Sequence, residues 1–140
     1  MTDVPRWDVI APLLRASDRN DLAQIRALTR QAITANREDD DIGCGDELYA
    51  LCFLLYLVGE PEDVALVYEA KYLNMDTGVT INQDLLTMRR DRETMLAAIA
   101  GLPKAAARPN MARDLVAAFD RPTFDTPAAL EQSLRGYFKT

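Results

Sequence analysis

The chain has 140 residues, of which 49% are hydrophobic and 27% charged, with a formal net charge of −6. That length suits one domain, 1–140, able to bury enough surface to fold without a metal or disulfide. There is no histidine and there are only two cysteines, which removes imidazole-based triads, imidazole metal sites and four-thiolate centres and leaves carboxylate, Tyr, Lys or Arg chemistry for an enzyme.

The opening MTDVPRWDV lacks a basic region followed by an apolar core, so no secretory signal is expected and the expected location is cytoplasmic. Cys44 and Cys52 then read as reduced thiols. A first short helix is predicted from Trp7 to Leu14, with Pro12 limiting its length, and Trp7 reads as core. Asp18 is a candidate N-cap for a second helix from Asn20 to Ala35. There Leu22, Ile25, Leu28 or Thr29, Ala32 and Ile33 recur at helical spacing. Asn36 to Gly45 reads as a polar loop with two glycines.

Asp46 is predicted to cap a helix running through Val58, with Glu47 in its first turn. Its apolar residues Leu48, Leu51, Cys52, Phe53, Leu54, Leu55, Leu57 and Val58 cover nearly every face, so it should sit in the middle of the bundle. The apolar run from Leu48 to Val58 is 11 residues long, against the ~20 needed to span a bilayer. Gly59 ends the helix and Pro61 opens the next, to Leu73, burying Val64, Val67, Tyr68 and Tyr72. The short connection makes an antiparallel hairpin.

Asn74 to Thr80 reads as a turn, followed by a short helix from Asn82 to Met88. Asp91 begins a helix through Ala100 that Gly101 and Pro103 stop. Pro109 opens another, with Met111, Leu115, Val116 and Phe119 inward. Thr126 and Pro127 open the last, with Leu130, Leu134, Tyr137 and Phe138 inward. The predicted class is all-α: a compact irregular bundle of about seven helices around a central buried hairpin, 48–73.

From Glu38 to Ala70 the chain carries ten acidic residues and no Lys or Arg. They are Glu38, Asp39, Asp40, Asp41, Asp46, Glu47, Glu60, Glu62, Asp63 and Glu69. Exposed like charges repel, and their accumulation beside the most apolar helix points to a surface that meets a basic protein. With Asp76 they form the expected partner-binding set. A calcium loop starting at Asp39 fails, since Gly43, Cys44 and Ala50 fall where a ligand, the glycine and the closing glutamate belong. No metal and no cofactor are therefore expected.

Glu69, Lys71, Tyr72, Asn74, Asp76, Asn82 and Asp84 form a second cluster. Glu69, Asp76 or Asp84 could serve a small carboxylate enzyme, with or without a divalent ion, but no nucleophile is paired with a base. Arg89, Arg90 and Arg92 make a small basic group whose simpler role is pairing with nearby acids. A pI near 4.6 and few aromatic platforms argue against nucleic acid as a partner. Nothing points to a membrane, and self-association stays open.

The block LCFLLYLVGEPEDVALVYEAKYLNMDTGVTINQDLL joins an apolar helix, a Gly-x-Pro-Glu-Asp turn and an Ala-Lys-x-x-x-x-Asp-Thr run. Over residues 46–86 it resembles small acidic all-helical immunity proteins of bacterial polymorphic-toxin systems. The resemblance implies a non-enzymatic cytosolic protein that neutralises a toxin domain by covering its basic active site. Two alternatives stand beside it: a helical-repeat-like adaptor or scaffold that binds peptides through an apolar groove, and the carboxylate enzyme.

Overall fold

In the computed structural model the described residues are 6–16, 21–38 and 45–139, and among them every regular element is helical. Eight α-helices follow one another: α1 Trp7–Arg15, α2 Leu22–Glu38, α3 Gly45–Val58, α4 Val64–Lys71, α5 Met75–Thr80, α6 Arg92–Ala100, α7 Met111–Asp120 and α8 Pro127–Phe138. Two 3-10 segments, Pro61–Asp63 and Gln83–Thr87, join α3 to α4 and α5 to α6. No helix among the described residues is long and apolar enough to cross a membrane.

Helix α3 is the axis of the bundle. Every residue from Leu48 to Tyr56 is buried, so it needs partners on all sides, and it finds them in α1, α2, α4, α8 and the Gln83–Thr87 segment. Gly59 ends it at a φ of 75°, and a Cβ there would lie 3.1 Å from the Met88 carbonyl oxygen. That close approach and left-handed geometry suit glycine. Phe138 of α8 packs at 5.4 Å from the Tyr49 ring and 5.9 Å from Trp7, which fastens the two ends of the described chain over α3.

Several caps fall where expected: Asp91 accepts from the Thr94 N–H and Thr126 from the Ala129 N–H, and Pro61 opens its turn. Other boundaries differ. Asp21 caps α2, accepting from the Ala23 and Gln24 N–H groups; the expected cap, Asp18, lies outside the described residues. Helix α2 also continues through Asn36 to Glu38, past the expected start of the loop, and the buried Asn36 amide donates to the Ala32 carbonyl. Pro12 sits inside α1 on its exposed side. Tyr72 and Tyr137, expected inward, are about half exposed; Tyr137 instead donates to Asp46 at 2.7 Å.

The largest difference is Asn74 to Thr80. Its composition reads as a turn, yet it folds as α5 through a reciprocal capping box. The Asn74 side chain accepts from the Thr77 N–H at 2.9 Å, and the Asn74 N–H donates to Thr77 Oγ1 at 3.1 Å. Two helix-end donors satisfied at once outweigh the poor helix propensity of Thr, Gly and Val.

Candidate functional site

The seven described acids of the cluster do not form one surface. Asp39, Asp40 and Asp41 lie outside the described residues. Asp46 and Glu47 stand in the first turn of α3 and Glu60 follows its end, which separates them by roughly 20 Å at 1.5 Å per residue. Asp46 is exposed, Glu47 and Glu60 are half-buried, and Glu38 is exposed at the end of α2.

Three of the acids are held by the chain's own arginines. Arg26 of α2 donates Nε to Asp63 Oδ1 at 2.8 Å and Nη2 to Glu62 Oε1 at 3.0 Å. Arg37 donates to Glu69 Oε1 at 2.7 Å. Asp63 is only 4% exposed; burial pushes its carboxyl above the usual range, with Arg26 pulling against that shift. Its second oxygen, Oδ2, has no hydrogen-bond partner. The expectation of unneutralised outward carboxylates is therefore corrected at Glu62, Asp63 and Glu69. The run had no cation within it, but α2 brings two.

Two of the three carboxylates suggested for catalysis are engaged elsewhere. Asp84 is buried and accepts backbone N–H bonds from Thr123 and Phe124, both at 2.9 Å. It fixes the chain ahead of α8. Glu69 pairs with Arg37, and Asp76 is exposed on α5. Among the described residues no group of acids and thiols is placed to hold a metal ion.

What the surface does present is α5. Met75 is 84% exposed and Val79 is 82% exposed. They stand four residues apart, so they share one helix face, with Asp76 beside them and half-exposed Tyr72 at the end of α4. Tyr72 packs against Tyr68 with ring centroids 4.5 Å apart and the rings tilted by 40°, and the Tyr68 hydroxyl donates to Asp114 at 2.9 Å.

This knuckle is braced from below. Lys71 is buried, and its ammonium donates to the Gly78 carbonyl at 2.7 Å and the Ile81 carbonyl at 2.5 Å. Burial lowers the pKa of that ammonium, and two carbonyl acceptors are its compensation. Thr77 Oγ1 donates toward the Lys71 and Asn74 carbonyls, each at 3.0 Å. Two large apolar side chains are thus displayed on a backbone tied at both ends. Exposed apolar groups that cluster in a rigid setting mark contact surfaces more than isolated ones do.

An open groove of about 560 Å³ lies between α2, α4 and the segment after α6. Leu66, Leu102 and Pro103 give it apolar walls, and Arg26, Arg30 and Glu69 stand among its charged lining.

The sequence placed Asp76 in the binding set and missed Met75 and Val79. The signal that could have found them is Asn74-x-x-Thr77, a capping pair, followed by apolar residues four apart.

No protein-family model, curated protein or solved structure matches this chain.

Proposed function

We propose that this chain is a protein-binding module that docks on its partner through the α5 knuckle. Met75 and Val79 supply the apolar anchor, Tyr72 the aromatic rim, and Asp76 a carboxylate without a cation partner among the described residues. The observation that carries this reading is the exposure of Met75 and Val79 on a segment that Lys71 and Thr77 hold in place. An exposed acid beside an apolar pair selects a partner surface that is apolar and basic. The knuckle lies inside the 46–86 block that resembles immunity proteins, which supports the finer reading: the partner is a bacterial toxin domain, neutralised by occlusion.

Co-purification with the product of a neighbouring toxin-like reading frame, followed by titration of a Met75→Ser/Val79→Ser variant, tests it. A hot-spot loss of about 2 kcal/mol should weaken binding roughly 30-fold, with the melting temperature unchanged. Unaltered affinity in that variant would remove the knuckle from the interface.

The 560 Å³ groove favours a second reading, an adaptor that holds a peptide segment. Filling it with Ala106→Trp should then abolish binding while Met75→Ser/Val79→Ser leaves binding intact. The first reading requires the reverse pattern.

A further inference from the structure

A second cavity, of about 220 Å³, lies on a different part of the surface, between the end of α3, the 88–90 turn, α7 and the start of α8. Phe119 and Phe124 are among its apolar walls, and Arg89 and Arg90 are the cations lining it.

The turn that carries these arginines is unusual. Met88 and Arg89 have φ values of 51° and 58°, a left-handed pair that side-chain-bearing residues seldom adopt. It is held against the end of α3: Arg89 Nη1 donates to the Leu57 carbonyl at 3.3 Å and Arg90 Nε to the Gly59 carbonyl at 2.7 Å. Each guanidinium carries five N–H donors. These two bonds account for one donor apiece, so capping α3 leaves both cations with donors in reserve.

Tyr56 supplies the second observation. It is 2% exposed and lines the cavity, and among the described residues its hydroxyl has no hydrogen-bond partner. Buried phenols ordinarily find a partner. The fully enclosed side-chain atoms lacking a partner are Asn36 Oδ1 and Asp63 Oδ2; the Tyr56 oxygen is not one of them, so it keeps an opening to solvent. Burial raises this phenol, the Arg89 charge opposes that, and the Asp84 and Glu131 charges reinforce it. Asp84 already has both oxygens occupied by backbone N–H groups, and Asp125 stands exposed among the lining residues.

We propose that this cavity binds a small carboxylic acid carrying one aromatic ring. The carboxylate takes N–H groups from Arg89 and Arg90 and the Tyr56 hydroxyl proton as a hydrogen bond. The ring lies against Phe119 and Phe124. A guanidinium pair recognises a carboxylate through charge-assisted bonds, and a cavity this size admits a single ring. The chemistry is shared by a free aromatic acid and by an aromatic residue at the C-terminus of a peptide.

Titration of the whole chain with benzoate and phenylacetate, followed by backbone amide NMR shifts, tests the site. Saturable shifts confined to residues around Arg89, Phe119 and Phe124 are expected, with benzamide at least fivefold weaker and benzylamine silent. Arg89→Gln and Tyr56→Phe should each weaken benzoate fivefold or more; Tyr56→Phe keeps the ring and serves if the arginine variant fails to fold. N-acetyl-phenylalanine binding tighter than benzoate identifies a peptide terminus as the source, and the reverse order identifies a free acid. Absence of saturable binding by every acid, equal binding of benzylamine, or affinity unchanged in Tyr56→Phe overturns the proposal. These readouts are independent of the knuckle and its partner.

Discussion

The α2–α4 seam and the α5 knuckle answer the same question in opposite ways. At the seam the sequence piles up charge, and the fold consumes it: Arg26 takes Glu62 and Asp63, and Arg37 takes Glu69. At the knuckle the sequence looks like an ordinary turn, and the fold spends a buried lysine and a capping box to hold two apolar residues in water. The density of one charge sign along a chain measures what must be paired, and only what is left after pairing is available to a partner. Apolar exposure on a braced segment is the stronger sign of a contact surface.

The sharpest way to break this contrast is Lys71→Met. It keeps the volume but leaves the Gly78 and Ile81 carbonyls without their donor. With a penalty of about 2 kcal/mol for the buried Ile81 carbonyl and about 1 kcal/mol for the part-buried Gly78 carbonyl, denaturant unfolding should show a loss of about 3 kcal/mol. Faster amide exchange over Thr77 to Ile81 should accompany it, and partner binding should fall with it. A loss under 1 kcal/mol would mean that α5 stands without its brace.

Arg26→Met comes next. It strands the carboxylate of Asp63 in a buried place, which costs about 3 kcal/mol at neutral pH. The sign of the pH dependence follows from burial. A carboxyl held above its ordinary pKa takes up its proton in the folded state before the unfolded chain does, so falling pH favours folding over that interval. The deficit of Arg26→Met should therefore shrink on acidification toward the ordinary Asp range. Chemical denaturation at neutral and mildly acidic pH checks this, and a deficit that grows with acid would reverse the account.

The smallest effect is expected from Arg37→Met. Its pair with Glu69 is largely solvated, and exposed pairs contribute under about 1 kcal/mol. If the melting curve of that variant drops as far as that of Arg26→Met, the two ends of the seam are not energetically different.

Much of the bundle was legible because its signals are local. Pro61, Asp91, Thr126 and Gly59 each fix a helix boundary within a few residues, and the all-round apolar surface of α3 declares a central helix. What escaped was of two kinds. Arg26 and Asp63 are 37 residues apart, so no periodicity or spacing rule joins them; their meeting depends on how α2 packs beside α4. At Met75–Thr80 local rules conflict, since the Asp, Thr and Gly of the segment favour a turn while Asn74 and Thr77 favour a helix. The capping box forms the helix, and Lys71 holds it by reaching the carbonyls of Gly78 and Ile81 from the preceding helix. The candidate site was half legible for the same reason: Asp76 is charged and drew notice, whereas Met75 and Val79 acquire meaning only once their exposure is known.

Gly59 binds two distant stretches into one heritable unit. A side chain there would press on the Met88 carbonyl at 3.1 Å and disturb the turn that carries Arg89 and Arg90. Across descendants of this sequence, replacement of that glycine should therefore be accompanied by altered residues at 88–90. The helix ending and the arginine pair would then diverge together, as one inherited character.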